Sequence, residues 1–211
     1  MKKLSFVIIL ILLSSCGPGG LFGTTAKPGE VLYHDDFSNP ASGWIISSTQ
    51  VGTMGYFNGV YRIQVAQTDY DIWSIQGKVY RDVQVDVEGA LYGGPRENRF
   101  GLVCRYQDPK NFYFFVISSD GYYAIGKVSG GVRSLLGQPM MAYSKSILTG
   151  MSPNHLRFDC KKSTLTGFVN DEMLALAQDT SLTRGKTGLI VGAFNTPGVD
   201  IIFDNFQVIN P

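Results

Sequence analysis

The feature that most constrains this fold is a series of short alternating apolar runs. From about Val31 onward, runs rich in Val, Ile, Tyr and Phe alternate with Gly, Asn, Asp and Pro, with turn signals about every 8–12 residues. The apolar spacing favours no amphipathic helix longer than two turns. The pattern predicts an all-β, antiparallel two-sheet β-sandwich that forms a single domain over residues 31–211. The clearest predicted strands are Val60–Val65, Val83–Leu91, Phe100–Gln107, Phe112–Ser118, Leu165–Val169, Thr187–Phe194 and Asp200–Val208.

Turn residues between these runs predict individual hairpins. Asp108-Pro109-Lys110-Asn111 has the chemistry of a type I turn, which would pair Arg105 with Phe114 on the next strand. Asn170-Asp171 separates two apolar runs and is a two-residue hairpin signal.

The N-terminal sixteen residues predict a destination outside the cytoplasm. Met1-Lys2-Lys3 is cationic, Leu4 to Leu13 is apolar apart from Ser5, and small residues lead to Cys16. The ending Leu-Ser-Ser-Cys resembles the bacterial lipobox, which implies that Cys16 is acylated and anchors the protein in a lipid bilayer. We therefore expect a lipoprotein signal peptide at 1–15, a lipidated Cys16 with a flexible Gly/Pro tether at 16–30, and an extracytoplasmic location at the cell surface or in the periplasm. An ordinary signal peptide with a coincidental Cys, or an uncleaved anchor, are the alternatives.

The other two cysteines suit an oxidising compartment. Cys104 shares a predicted strand face with Leu102 and Tyr106, and Cys160 shares one with Leu156 and Phe158. Both therefore point into the core, and a Cys104–Cys160 disulfide is predicted, with two buried free thiols as the alternative. Neither cysteine has a His or Cys at metal-ligand spacing.

The net charge of the mature chain is close to zero. Of 18 Lys and Arg, Lys2 and Lys3 leave with the signal peptide, so that 16 remain against 17 Asp and Glu. Because phosphate binding needs a cationic surface, this balance argues against nucleic acid as a partner.

Several segments together resemble a known fold family. Asp35-Asp36-Phe37, Ser42-Gly43-Trp44, the run from Phe100 to Tyr113, Asn154-His155-Leu156-Arg157 and Phe203-Asp204-Asn205-Phe206 are similar to concanavalin/laminin-G-like jelly rolls of bacterial secreted proteins. The 3-keto-disaccharide hydrolase-like domains are the nearest named relatives, and their Asn-Ser-Gly-Ile-x-x-Arg strand resembles residues 98–105 loosely. Since this fold carries lectins, glucanases, adhesion modules and domains without known activity, the resemblance implies a fold and leaves the function to be argued from a site.

An enzymatic function finds little support in the residues. Retaining glucanases of this fold carry Glu-x-Asp-x-x-Glu on one strand, whereas Asp86-Val87-Glu88 is followed by Leu at position 91. We interpret Asp86 and Glu88 as the solvated outer face of a strand. Neither His34 nor His155 has a Ser or Cys partner in a triad-like arrangement.

A carbohydrate-binding function is the favoured interpretation. Sugars stack on aromatic rings and pair their hydroxyl groups with planar polar side chains. Arg105 is expected to point outward among apolar and aromatic residues and to form a ligand floor, unless it pairs with a nearby Asp. The predicted ligand-binding residues are Arg105, Phe114, Gln107, Asn98 and Tyr123, with Arg99 as a further rim contact and Tyr70, Trp73 and Tyr143 as a second, loop-borne aromatic group.

A calcium ion is a possible cofactor. Asp36 and Asp204 lie near opposite termini, which pair as neighbouring strands in jelly rolls, and carboxylates suit this hard cation. No Asp-x-Asp-x-Asp-Gly loop is present, and the alternative is that these residues cap turns.

The resulting prediction is a membrane-anchored, non-catalytic carbohydrate-binding lipoprotein. Its alternatives are a glycoside-processing hydrolase of the 3-keto-disaccharide type and a structural or protein-binding module.

Overall fold

The computed structural model describes residues 26–211, and every regular element in that range is a β-strand. The predicted leader and the predicted lipidation at Cys16 lie outside the described residues. The strands are β1 Val31–Asp35, β2 Ser47–Thr49, β3 Gly52–Phe57, β4 Val60–Val65, β5 Asp71–Ile75, β6 Val83–Gly93, β7 Asn98–Asp108, β8 Asn111–Ile117, β9 Tyr122–Ser129, β10 Val132–Leu135, β11 Ala142–Tyr143, β12 Asn154–Lys161, β13 Thr164–Val169, β14 Glu172–Gln178, β15 Lys186–Ala193 and β16 Val199–Ile209.

The strands form two antiparallel sheets. Sheet A has the order β14-β13-β12-β6-β16-β4-β3-β2. β1 pairs with the C-terminal part of β16, past the residues of β16 that pair with β4. Sheet B has the order β10-β9-β8-β7-β15-β5, and β11 pairs with β9. The predicted all-β, two-sheet sandwich is therefore confirmed.

The core lies between the two sheets and is filled by alternate residues of both. Val85 and Phe158 represent sheet A in this core, and Leu102 and Leu189 represent sheet B; none of the four is exposed. Because side chains alternate with period two, the same strands carry a second set of residues outward.

The two sheets are joined by the predicted disulfide. Cys104 on β7 is bonded to Cys160 on β12, with their Cα atoms 6.7 Å apart. Both cysteines are fully buried within the core, as the alternation of their strands predicted.

The predicted hairpins are present, with one shift of register. Val169 pairs with Glu172 across Asn170-Asp171, and both turn residues have positive φ. Asp108 pairs with Asn111 as expected, but further along Cys104 pairs with Tyr113 because β7 is irregular between Cys104 and Asp108. This β-bulge replaces the expected partnership of Arg105 with Phe114; the partner of Phe114 is Val103.

The described chain begins at one end of the sandwich. The Ala26 carbonyl accepts a hydrogen bond from Asn210 Nδ2, and Gly29 N donates to the Asn210 carbonyl. The last five residues of the predicted flexible tether are thus held against the C-terminus. We call this the N-terminal end; it also carries the β7–β8, β9–β10 and β12–β13 turns and residues 76–82 and 179–185.

The other end, which we call the cleft end, carries residues 94–97, the β8–β9 turn and the β13–β14 turn. Within the described range, no helix is long and apolar enough to cross a membrane.

Candidate ligand-binding face and its two clefts

The outer face of sheet B is unusually apolar for a face that lies away from the core. Val103, Phe112, Phe114 and Ile190 are buried there, and Trp73 packs partly exposed against them. The rings of Trp73 on β5 and Phe112 on β8 have centroids 5.4 Å apart although two strands separate them. Gly101 on β7 and Gly188 on β15 are among the outward positions of the two intervening strands.

An ion cluster crosses this face. Arg99 Nε on β7 donates to Asp71 Oδ1 on β5 over 2.6 Å, and Arg133 on β10 pairs with the other oxygen of Asp71. The strands β5 and β10 are the two ends of the sheet B order. Since neighbouring strands lie about 4.8 Å apart, a flat sheet would separate them by about 24 Å, beyond the reach of an arginine side chain. The outer face of sheet B is therefore concave.

The cluster is largely removed from water. The side chains of Arg99 and Asp71 are 7% and 5% exposed, and the Arg99 guanidinium lies 4.4 Å from the centre of the Phe194 ring. Burial lowers the pKa of Arg99 to about 10, while the nearby Asp69 carboxylate acts to raise it. Arg99 thus stays charged at neutral pH, held between a carboxylate and an aromatic face.

A glycine makes room for this pair. A Cβ atom placed on Gly192 of β15 would overlap Asp71 Oδ1 and come within 2.5 Å of Arg99 Nε. The two charged groups therefore lie flat over β15 because residue 192 has no side chain.

The first of two clefts opens at the cleft end beside this cluster. It encloses about 370 Å³, and the Tyr122 ring, 41% exposed, forms part of its wall. Tyr122 packs edge-to-face with the exposed Tyr143 at a centroid distance of 5.7 Å. This cleft, which we call the tyrosine cleft, is lined by Glu97, Ser118, Asp120, Tyr122, Met140, Met141 and Phe194.

The second cleft lies on the other side of the ion cluster. It encloses about 210 Å³ between β5 and the β2–β3 hairpin, and Tyr70, Asp71 and Trp73 line it. Of the predicted loop-borne aromatic group, Tyr70 and Trp73 are therefore together, whereas Tyr143 stands beside the tyrosine cleft. An aromatic-walled cleft thus flanks the buried Arg99–Asp71 pair on each side.

Arg105 does not lie where the sequence placed it. Its backbone has a φ of 50° within the bulge, and its side chain is 1% exposed at the N-terminal end. The guanidinium donates to the Leu182 carbonyl over 2.8 Å, to the Arg81 carbonyl over 3.2 Å and to Asp82 over 3.3 Å. The prediction that Arg105 points outward is wrong because the bulge breaks the alternation on which it rested. The alternative, pairing with a nearby Asp, is what the structure contains.

The other predicted ligand residues do not converge. Gln107 is exposed at the N-terminal end and donates to the Arg184 carbonyl, while Asn98 is buried and holds the β8–β9 turn through Ser119. Phe114 is 3% exposed beneath the concave face. Tyr123 packs toward the core, and its neighbour Tyr122 is the tyrosine that faces outward.

The carboxylates predicted to bind calcium accept hydrogen bonds from residues next to them in the sequence. Asp36 Oδ1 accepts hydrogen bonds from the Ser38 amide and hydroxyl, and Asp204 Oδ1 accepts one from the Asn205 amide. Burial raises the pKa of Asp204, and the nearby Glu88 and Asp36 raise it further. Among residues 26–211, no group of three or more His, Cys, Asp or Glu could hold a metal ion. The calcium site stays a prediction.

The acidic strand of the enzyme hypothesis lies on the outer face of sheet A. Glu88 is exposed there, opposite Asp204 on β16 and His155 on β12. Asp86 is only 7% exposed, contrary to the solvated position expected for it, and its Oδ1 has no hydrogen-bond partner. Burial raises the pKa of Asp86. His34 on β1 pairs with Gln207 on β16, and among residues 26–211 it makes no triad-like contact.

Sequence reasoning named Arg99, Tyr70 and Trp73 but missed Asp71 and most of the side chains that line the tyrosine cleft. Alternation along β7 places Arg99 on the same face as Gly101 and Val103, which is the local signal for its position. Asp71 and Arg133 lie 62 positions apart in the sequence and meet only because the sheet curves. No local pattern brings Glu97, Asp120 and Phe194 together.

Comparisons with known proteins agree on the fold. No protein-family model matches the sequence, and no curated protein sequence matches it. Among solved structures, the chain is similar to the carbohydrate-binding module CBM66 from Bacillus subtilis, with a TM-score of 0.65 and 16% identity over 80% of this chain and 96% of that one. It is similar to a β-glucanase from Bacillus licheniformis, with a TM-score of 0.63 and 10% identity over 85% and 98%. A Bacillus subtilis protein of unknown function with a galectin-like fold matches with a TM-score of 0.62 and 13% identity over 88% and 98%. The chain thus has a jelly-roll sandwich fold of the galectin and concanavalin type, while the 3-keto-disaccharide hydrolase-like family is matched by no model.

Proposed function

We propose that this protein is a membrane-anchored, extracytoplasmic carbohydrate-binding lipoprotein that acts without catalysis. The observation that carries the proposal is the tyrosine cleft, where an exposed ring and two carboxylates share one cavity. The C–H face of a sugar ring would stack on Tyr122, and its hydroxyl groups would donate to Glu97 and Asp120.

The concave face supports this interpretation by its rigidity. Phe194 lines the cleft and is held by Arg99, which is itself fixed by Asp71. A wall whose side chains are already ordered loses little conformational entropy when a ligand binds. Solved structures of the same fold include a module named for carbohydrate binding and an enzyme named for its action on glucan.

The test is binding of the purified full chain to an array of glycans and cell-wall polysaccharides. Tyr122→Ala should weaken binding to a recognised glycan by about fivefold, because contact with an aromatic ring contributes about 1 kcal/mol. Tyr92→Ala is the matched control, since Tyr92 is 43% exposed but lies on sheet A. Glu97→Gln should also weaken binding, and Glu172→Gln at the start of β14 should not. Equal loss in the Tyr122 and Tyr92 variants, or no glycan bound at all, would contradict the proposal.

A hydrolase of glycosides is the second candidate, because Glu97 and Asp120 line the same cleft. Two carboxylates on either side of a glycosidic bond are the requirement for that chemistry. Release of reducing ends that Glu97→Gln and Asp120→Asn each abolish would replace the binding function by the enzymatic one. Among the described residues, the one carboxylate that pairs with Arg105 is that of Asp82.

The lipid anchor is supported by the leader and by Cys16 in the sequence. Mass spectrometry of the mature N-terminus should find an acylated cysteine, and Cys16→Ser should move the protein from the membrane fraction to the soluble fraction or leave its leader uncleaved. An N-terminus at any other residue would contradict lipidation at this position.

A further inference from the structure

The near-neutral net charge conceals a strong separation of charge between the two ends. Of the 16 Lys and Arg side chains in residues 26–211, ten lie at the N-terminal end, together with five of the 17 carboxylates. The rest of the sandwich carries six cationic groups and 12 carboxylates. The cationic side chains at the N-terminal end are Lys27, Lys78, Arg81, Arg105, Lys110, Lys127, Lys161, Lys162, Arg184 and Lys186, and the carboxylates there are Glu30, Asp82, Asp108, Asp159 and Asp179.

The topology accounts for this grouping. Lys161 and Lys162 lie at the β12–β13 turn, where Cys160 pairs with Val83 at the start of β6. Lys110 lies at the β7–β8 turn. Residues 76–82 and 182–186 meet through the Tyr80–Gly185 bridge beside the end of β7. Residues scattered over 160 positions of sequence thus share one end of the molecule because antiparallel strands return their turns to the same edge.

Most of these cationic groups face water. Lys27, Lys78, Arg81, Lys110, Lys161, Lys162 and Arg184 are exposed, and within the described chain none of them takes part in an ion pair. The two cationic groups of this end that do pair are Arg105 with Asp82 and Lys127 with Asp179. We call the seven exposed side chains the basic end.

From this arrangement we infer that the basic end docks on a bilayer that contains anionic phospholipids. The described chain begins at Ala26, within this same end, and nine residues separate it from Cys16. The ten residue-to-residue steps from Cys16 to Ala26 span at most about 35 Å, so an anchor at Cys16 would hold the basic end close to the headgroups. Each Lys or Arg near an anionic leaflet contributes to binding, and one acyl signal together with a polybasic surface gives stable attachment.

Docking in this direction has a consequence for the ligand site. The tyrosine cleft and the carboxylate-rich remainder of the sandwich lie away from the basic end. An anionic surface would attract the basic end and repel the rest, so that both clefts face away from the membrane. The charge separation therefore orients the protein as well as attaching it.

The test uses the full chain with Cys16→Ser, so that no acyl chain contributes. Its binding to vesicles of phosphatidylcholine alone is compared with binding to vesicles of equal parts phosphatidylcholine and phosphatidylglycerol. Binding to the anionic vesicles should be at least about tenfold tighter. Lys2 and Lys3 of the leader also favour anionic vesicles, but they are present in every variant, so the share of the basic end is read from the difference between variants. This preference should fade as salt shortens the screening length below about 10 Å.

Charge-reversal variants distinguish an effect of the basic end from an effect of the protein's overall net charge. Lys161→Glu with Lys162→Glu should remove most of the preference for anionic vesicles, a loss of about tenfold. Arg96→Glu with Lys145→Glu makes the same change of net charge on exposed side chains outside the basic end and should leave the preference nearly intact.

Equal affinity for both vesicle types, or equal loss in the two reversed variants, overturns the inference. Tight binding of soluble polyphosphate with no preference between the vesicles also overturns it, since the partner would then be a soluble polyanion. Glycan binding is measured on the same variants and should be unchanged, so that this inference can fail separately from the proposed function.

Discussion

The two ends of this sandwich use charge in opposite ways. At the cleft end, Arg99 and Asp71 are buried against aromatic rings and paired. At the N-terminal end, cationic side chains such as Lys78, Lys110 and Lys162 are exposed and unpaired within the described chain, while the buried Arg105 fastens backbone segments together.

Buried charges hold the local structure of this molecule, whereas exposed charges generate the electrostatic field around it. A buried, paired group is costly to disturb and fixes its neighbours, whereas exposed lysines contribute little to stability but act on distant charges. The first kind suits a preformed ligand face, and the second suits attraction to an anionic surface. Substitutions at the two ends should therefore differ in both size and kind of effect.

The largest loss of stability is expected from removal of the disulfide at the N-terminal end. Cys104→Ala with Cys160→Ala releases a bond between residues 56 positions apart, which should lower the free energy of unfolding by about 4 kcal/mol. Urea denaturation measures this loss, and reduction of the wild-type protein should reproduce it. Amide hydrogen exchange should rise more in β7 and β12 near the cysteines than around the tyrosine cleft. A uniform rise would show that the two ends unfold as one unit.

Arg105→Met should lower the free energy of unfolding by about 3 kcal/mol, because it leaves Asp82 and the carbonyl groups of Arg81 and Leu182 without their donor. Gln107→Met is the matched control two residues away, and its exposed side chain should cost less than about 0.5 kcal/mol. The folded Arg105 variant should keep its glycan affinity. A selective loss of glycan binding with unchanged stability would restore Arg105 as a ligand residue.

Gly192→Ala tests the ion cluster of the cleft end. Its new Cβ would displace Asp71 from Arg99, and we expect a loss of about 2 kcal/mol together with weaker glycan binding. Gly77→Ala at the N-terminal end meets nothing within 4 Å and should be neutral to within about 0.5 kcal/mol. Thermal unfolding of both variants makes the measurement. Similar thermal unfolding curves for the Gly192→Ala and Gly77→Ala variants would show that the stability of the fold does not depend on the close packing at Gly192.

The smallest effects concern two carboxylates in opposite surroundings. Burial acts to raise the pKa of Asp179, but hydrogen bonds from Lys127, Ser181 and Tyr113 outweigh it and hold that pKa below its usual range. Burial raises the pKa of Asp86, where Gln84 supplies the one compensating side-chain hydrogen bond.

Asp179 therefore stabilises the fold above its unfolded pKa of about 3.9, and this contribution is lost as the pH falls toward the folded pKa. Asp86 has the reverse sign: its burial costs stability at neutral pH, and the cost disappears as the pH falls below the unfolded pKa. At pH 7, Asp179→Asn should destabilise and Asp86→Asn should stabilise, each by less than about 1 kcal/mol. Urea unfolding at pH 7 and pH 3 checks both signs, and effects of one sign in both variants would contradict this assignment.

What could be predicted from the sequence depended on short-range regularities. Strand runs such as Val60–Val65, the Asn170-Asp171 turn and the inward direction of Cys104 and Cys160 follow from alternation and from turn chemistry, which act over a few residues. The choice between Tyr122 and Tyr123 required the exact start of β9, which alternation alone leaves open.

The all-β class, the main hairpins and the pairing of the two cysteines followed from the sequence alone, because each of these depends on local pattern. The tertiary structure alone set the direction of Arg105, since two extra residues of β7 between Cys104 and Asp108 form a bulge that interrupts the alternation there. It also decided the meeting of Asp71 with Arg133, the tyrosine cleft and the gathering of ten cationic groups at one end, because sheet order and curvature join residues that the chain keeps far apart.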